Sequence, residues 1–184
     1  DMLQNFNFAI TVAKILKIRN KNIKKTIENF KGLPYRQEII YQNHNITVIN
    51  DSKSTSFSSS LNLLKSYRNI HWILGGLAKK KDRLNLSNKF QKNIIFYIYG
   101  KDRNFFKTQI NYKNNIYDVK NLKHALKLII INCLDKKEPQ NVIFSPAAAS
   151  FDQFKNFEDR GLHFNNLLKK LNFIKKINVK KQDI

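Results

Sequence analysis

The sequence predicts an α/β fold: a mostly parallel sheet with helices on both faces and an antiparallel hairpin at one edge. Three observations carry this. Short apolar runs at 70–74, 93–99 and 141–144 alternate with segments whose apolar residues recur at helical spacing. Two adjacent extended runs, 37–41 and 45–49, are close enough in sequence to form a hairpin. The apolar runs end in turns rich in Gly, Ser or Lys, as strands do where an open sheet meets its ligand.

Each element has its own justification. Residues 4–18 place Phe6, Ala9, Ile10, Ala13, Leu16 and Ile18 on one helical stripe, expected to be buried. Residues 21–30 form a second short amphipathic helix, with Ile23, Ile27 and Phe30 on one side. Gly32 then supplies a helix stop and Pro34 prevents continuation. Gly32-Leu33-Pro34 is therefore the expected domain boundary. Two helices cannot enclose a core, so 1–33 reads as the tail of something larger and 34–184 as a domain of its own. Within the hairpin, Gln42-Asn43-His44 makes the turn, and Ile39, Tyr41, Ile46 and Val48 are expected on the buried face. Helices follow at 57–67, 101–109 and 121–134, and a long one from about Ser150 to Leu171. No internal repeat is visible, and the lysine-rich last ten or so residues are expected to fray.

Composition narrows the function classes. With 184 residues, 42% of them hydrophobic, the chain can bury one core or one domain plus part of another. No apolar run approaches the roughly 20 residues of a membrane helix, and no signal peptide is apparent, so a cytoplasmic setting without membrane contact is expected. A single cysteine, Cys133, precludes an internal disulfide or a cysteine-based zinc site and reads as a small core residue. The net charge of +21 and pI near 10.1 suggest a polyanion partner. Against that, the lysines are spread over nearly every segment, and the enriched Lys, Asn, Ile and Phe are residues of AT-rich codons. No nucleic-acid-binding motif accompanies the charge, so no nucleic-acid function is expected. His44, His71, His124 and His163 share no metal-ligand spacing, and no metal site is expected within these residues. Asp51 has no acidic neighbour, which excludes a glycosidase-type carboxylate pair.

Asn50-Asp51-Ser52-Lys53-Ser54-Thr55 follows the second hairpin strand and precedes a helix, offering a carboxylate, an ammonium and three hydroxyls where α/β proteins bind anions. Gly75-Gly76-Leu77-Ala78-Lys79 lets backbone approach a ligand and places a cation after it, although a solvated turn beside Lys80 and Lys81 would look the same. It lacks the spacing and ending of a Walker A loop. Ser145-Pro146-Ala147-Ala148-Ala149-Ser150 leaves free N–H groups and a hydroxyl at a strand-to-helix turn, or simply an N-cap at Ser150. Arg36 could form a surface ion pair with Glu38. Residues alone thus leave open a basic nucleic-acid module and a stand-alone nucleotide or amino-acid sensor.

Taken together these words resemble one family. Phe30-Lys31-Gly32-Leu33-Pro34-Tyr35-Arg36-Gln37-Glu38, the Asn50–Thr55 word, Leu74-Gly75-Gly76 with Lys79, and Ser145 through Asp152-Gln153-Phe154-Lys155-Asn156-Phe157-Glu158-Asp159-Arg160-Gly161 resemble the Mur ligases, in order and over nearly the whole chain. The forms at Asp51 and Ser145 resemble the D-glutamate-adding branch. Other Mur ligases and folylpolyglutamate synthases, the alternatives, carry different words where Asp51-Ser52-Lys53 stands. Tyr35 occupies a position where histidine is common, and Asp1-Met2 stands where family members show His-Asn.

The resemblance implies an ATP- and Mg2+-dependent ligase that joins D-glutamate to UDP-N-acetylmuramoyl-L-alanine through an acyl phosphate. It implies residues 1–33 as the end of a central ATP-binding domain and 34–184 as a Rossmann-like C-terminal domain. The UDP-binding domain, the phosphate-binding loop, the magnesium ligands and a carbamylated lysine would lie outside these residues. Asn5 and Arg36 would contact the nucleotide and Asp51 its ribose. Lys53 would face the reacting phosphate and acyl group. Thr55, Lys79, Ser150 and Phe157 would hold D-glutamate, and the enzyme would act as a monomer in the cytoplasm.

Overall fold

The computed structural model describes residues 2–30, 32–134 and 136–179. Asp1, Lys31 and the lysine-rich residues 180–184, on which expectations fall, lie outside the described residues. The chain forms two compact units, Asp1–Leu33 and Pro34–Ile184.

The first unit is a helix pair, α1 (Met2–Ile15) and α2 (Asn20–Glu28), joined by an edge-to-face contact of Phe6 with Phe30. The helical spacing is there, but the buried stripe is not: Phe8, Ile15, Leu16, Ile18 and Phe30 are exposed, and α2 has no buried residue. Two short helices supply too little facing surface to cover their own apolar side chains.

The second unit is a six-stranded sheet ordered β1-β2-β6-β3-β4-β5. Its strands are β1 (Glu38–Gln42), β2 (Ile46–Asn50), β3 (Ile70–Gly75), β4 (Ile94–Tyr99), β5 (Ile116–Asp118) and β6 (Gln140–Phe144). Only the β1–β2 edge pair is antiparallel; β2–β6, β6–β3, β3–β4 and β4–β5 are parallel. Sequence neighbours go to opposite faces: Ile49, Trp72, Phe96 and Ile143 to one core, Val48, Ile73, Tyr97 and Val142 to the other. This two-sided burial is why the central strands read as unbroken apolar runs.

Helices α3 (Phe57–Lys65), α4 (Asn88–Gln91) and α5 (Arg103–Thr108) lie with the first core, to which Phe57, Leu64 and Phe106 belong. Helices α6 (Leu122–Leu134), α7 (Phe157–Lys170) and α8 (Phe173–Val179) cover the second through Leu126, Ile129, Phe164, Leu168 and Phe173. The chain leaves β2 and β3 towards the first face and β6 towards the second. Strand exits diverge around β6, and the carboxyl ends of β2, β6 and β3 lie side by side, where open α/β sheets bind ligands.

Three sequence expectations change. A bulge between Ile39 and Tyr41 shifts the register, so Ile40 packs on the core while Ile39 is half exposed. The last long helix starts at Phe157, not near Ser150, because the Asn156 side chain caps it by accepting from Asp159 N–H at 2.7 Å. The tail is ordered further than its pattern suggested: α8 inserts Phe173 and Ile177 beside α6 and α7. The short elements β5 and α4 carry too few residues for a periodic signal.

Candidate functional site

The turn after β2 is locked from several sides. Asn50 at the strand end donates to the Gly161 carbonyl at 3.0 Å and to Asn165 Oδ1 at 2.8 Å, both on α7. Asp51 N–H donates to the Phe144 carbonyl at 2.7 Å, prolonging the pairing with β6 past the strand. The Asp51 carboxylate accepts from Ser145 Oγ at 2.7 Å and Gln37 N–H at 3.1 Å. Burial pushes this carboxyl up to about 6, against those two hydrogen bonds and the nearby charges of Arg36 and Arg160. Lys53 N–H donates to the Tyr35 carbonyl at 3.0 Å, joining the turn to the segment that carries Arg36. The Tyr35 ring lies against Gly161 so closely that a Cβ there would be 2.4 Å from Cδ1. Arg36 itself is exposed, and Glu38 accepts from Tyr35 N–H at 2.9 Å.

The serines that follow face inward as often as outward. Ser54 and Ser60 hydroxyls are 2.6 Å apart, and Ser60 and Ser145 hydroxyls 2.7 Å apart. An ionised Asp51 can only accept, so the Ser145 hydroxyl donates to it at the end of this run of hydroxyls. Ser56 and Ser59 form a capping box at the start of α3, which leaves Thr55 half-buried just ahead of the helix.

Arg160, on α7 and only 1% exposed, ties two turns together. Its Nε donates to Ser52 Oγ at 3.0 Å and its Nη2 to the carbonyls of Ser52 at 2.7 Å and Ala148 at 3.0 Å. Ser52 Oγ in turn donates to the Phe157 carbonyl at 2.8 Å. Arg160 has Tyr99 as an electrostatic neighbour, and neither Nη1 nor that hydroxyl has a hydrogen-bond partner of good geometry. Burial lowers the affinity of Arg160 for its proton and pushes the Tyr99 hydroxyl up to about 12.

The glycine turn joins the same group of strand ends. Gly75 and Gly76 have φ of +136° and +132°, and a Cβ on Gly76 would lie 2.5 Å from the Ala149 carbonyl. Leu77 and Ala149 pair across the gap through mutual N–H to carbonyl bonds of 3.0 Å. The Gly75–Lys79 and Ser145–Ser150 turns are thereby one structure.

The sequence-predicted residues divide accordingly. Lys53 is exposed, and its ammonium lies 3.9 Å from the Phe157 ring centroid. Ser150 is buried, with its hydroxyl unbonded among the described residues. Lys79 is exposed and makes no ion pair among the described residues, and Thr55 stands beside the α3 cap. Asp51 is buried in the hydrogen bonds above. Asn5 lies exposed on α1, in the other unit. Sequence reasoning assigned no role to Arg160, Ser60 and Ser145. Arg160 had a signal: it occupies the stripe that continues through Phe164, Leu167 and Leu168, where a charge is out of place. Cys133 and His71 belong elsewhere, in a buried cluster at the start of β3, where His71 Nδ1 and Nε2 lie 3.0 Å from Tyr97 Oη and 3.1 Å from Gln140 Oε1.

No family model matches the chain. Among curated proteins it is 34% identical over 168 residues to UDP-N-acetylmuramoylalanine–D-glutamate ligase of Wolbachia sp. subsp. Brugia malayi, covering 91% of this chain and 34% of that protein. The ligases of the same name from Prochlorococcus marinus (strain NATL2A) and Buchnera aphidicola subsp. Baizongia pistaciae are 36% and 37% identical, over 94% and 91% of this chain and 38% of each relative. Among solved structures, MurF from Acinetobacter baumannii superposes with a TM-score of 0.62 at 15% identity, covering 91% of this chain and 37% of that one, a likeness of fold. Over nine-tenths of its length the chain matches the D-glutamate ligases of the Mur family, of which it spans about a third.

Proposed function

We propose that this chain forms the D-glutamate-binding part of an ATP-dependent ligase that builds the amide bond between D-glutamate and UDP-N-acetylmuramoyl-L-alanine in peptidoglycan synthesis. The observation that carries the reading is the convergence of the Asn50–Thr55, Gly75–Lys79 and Ser145–Ser150 turns at the ends of adjacent strands, held by Arg160 and the Leu77–Ala149 pairing. Residues 1–33 are read as the end of a central ATP-binding domain, supported by the apolar side chains they leave uncovered, and 34–184 as a Rossmann-like C-terminal domain.

D-glutamate brings two carboxylates and an amine. An unpaired ammonium at Lys79, the hydroxyls of Thr55 and Ser150 and the Phe157 edge are the donor set such a ligand needs. Their role is to hold the amine where it can attack the activated carbonyl, which converts an encounter into a positioned reaction. Lys53 faces the reacting phosphate and acyl group, where an ammonium offsets the charge that develops on the phosphoryl oxygens.

ATP, when bound, supplies the phosphoryl group that activates the acceptor's carboxylate as an acyl phosphate. Arg36 suits the nucleotide as an exposed guanidinium. Asp51 suits the ribose because a carboxylate can accept about four hydrogen bonds and this one has two. Asn5 is the third nucleotide residue. Magnesium ligands are assigned to residues outside this stretch. The enzyme is read as a cytoplasmic monomer without nucleic-acid or membrane partners.

The test is a titration of the 184-residue chain with D-glutamate, followed by amide NMR. Shifts confined to Thr55, Gly76–Lys79 and Ser150–Phe157, absent with L-glutamate, are expected. Equal shifts with both enantiomers, or shifts elsewhere, would count against the reading. The same 184 residues assayed alone should form no amide from ATP, because they contain no phosphate-binding loop.

A further inference from the structure

Lys79 and Lys80 are sequence neighbours with opposite fates. The Lys80 ammonium pairs with Asp102 Oδ1 at 3.3 Å, whereas Lys79 makes no ion pair among the described residues. The same Asp102 accepts from Ala78 N–H at 2.9 Å through Oδ2, and its own N–H donates to the Gly76 carbonyl at 3.1 Å. The Ala78 N–H first, and then the Lys80 ammonium, hold its carboxyl below the usual range.

Asp82 holds the other side of the loop. Its N–H donates to the Lys79 carbonyl at 2.8 Å, closing a turn directly behind Lys79. Its Oδ2 accepts from Phe57 N–H, the first residue of α3 and two positions beyond Thr55. Its Oδ1 accepts from Arg83 N–H at 3.2 Å, and Arg83 Nη1 donates back to the carbonyls of Lys80 at 2.9 Å and Asp82 at 3.0 Å. Helix α3 does not need this carboxylate as its cap, since Ser56 and Ser59 already form a capping box. What the contact fixes is the loop. A carboxylate at a helix N-terminus is favoured by the exposed N–H groups there, so this is a stable place to anchor a lysine-bearing turn.

We infer that Asp82 is a positioning residue that sets the Lys79 ammonium at a fixed separation from Thr55, to receive an acidic amino acid between them, while Asp102 removes Lys80 from competition. This rests on the reading of Lys79 and Thr55 as D-glutamate ligands.

The test uses the ligase that carries this chain. Asp82→Ala is expected to raise KM for D-glutamate about tenfold while KM for ATP stays within about twofold. Asp82→Asn keeps an oxygen acceptor for Phe57 N–H and is expected to recover most of the loss. Lys80→Met should leave KM for D-glutamate unchanged. Equal rises in both KM values, or no recovery by Asp82→Asn, would overturn the inference. If Asp82→Ala does not fold, the Asn variant decides through its D-glutamate KM together with hydrogen exchange at the Phe57 amide: protection kept and KM near the parent value supports the inference, and protection lost with KM unchanged sinks it. Lys79→Ala run in parallel separates the two readings. An unchanged D-glutamate KM there defeats the ligand assignment itself, whereas a raised one beside a silent Asp82→Ala defeats only the positioning role.

Discussion

The ammonium of Lys53 lies 3.9 Å from the centroid of the Phe157 ring, so a cation from the turn after β2 rests on an aromatic at the start of α7. The two residues meet from elements more than a hundred positions apart in sequence. Exposed contacts of this kind contribute about 0.5–1 kcal/mol. Lys53→Met and Phe157→Leu should therefore each destabilise the chain by about 1 kcal/mol or less in urea. In the ligase they should differ sharply: Lys53→Met should lower kcat by about 100-fold or more, and Phe157→Leu should act mainly on KM for D-glutamate. Identical kinetic profiles for the two variants would break the assignment of separate roles.

Arg160 holds the Ser52 and Ala148 carbonyls and the Ser52 hydroxyl at once, with almost no exposure. A lysine has no planar fork and cannot reach all three. Arg160→Lys should cost about 2–4 kcal/mol, because buried acceptors lose their donors. Equilibrium unfolding of the 184-residue chain measures this directly. A loss below about 1 kcal/mol would mean that the two turns hold together without it.

Two buried groups pull the pH dependence of stability in opposite directions. The Asp51 carboxyl is raised from 3.8 to about 6, so its contribution is fully present below about 4 and is lost as pH rises through about 6. The His71 ring is lowered by burial from 6.5 to about 4, so its contribution is present above 6.5 and is lost as pH falls through about 4. Each is on the order of 3 kcal/mol, and between about pH 4 and 6 they nearly cancel. Asp51→Asn mimics the protonated form and removes one side of the balance. The variant should gain stability relative to the parent at pH 7 and lose that gain by pH 4. Parallel curves for variant and parent would refute the shifted Asp51.

Gly76 has φ +132° and no room for a methyl group beside the Ala149 carbonyl. Gly76→Ala should destabilise the chain by about 2–4 kcal/mol and separate the Leu77–Ala149 pairing, visible as faster exchange of the Leu77 and Ala149 amides. Unchanged exchange would show that the turn can relax.

Much of this was legible in sequence, and the exceptions have physical reasons. The central strands announced themselves because both faces are buried: Trp72 and Ile73 are apolar for different cores. The turns at Asp51, Gly75 and Ser145 were visible as strand ends, and the sheet brings them together. What pattern could not show was the third dimension of the polar groups. Asn50 to Thr55 looked like a hydrophilic ligand turn, yet Ser54 joins Ser60 of the following helix in a run of hydroxyls that ends at Asp51. Asp82 and Asp102 gave no signal in sequence, because their partners at Phe57 and Ala78 are backbone groups. The apolar stripes of α1 and α2 predicted a burial that their own unit does not provide, because two short helices offer no surface for them to meet.

The central claim is that Lys79 serves the carboxylates of D-glutamate and not the nucleotide. Steady-state kinetics of Lys79→Ala in the ligase that carries this chain measure it most directly. The account predicts a rise in KM for D-glutamate of about tenfold or more, with KM for ATP changed by less than about twofold. An unchanged D-glutamate KM, or an equal rise for both substrates, would contradict it.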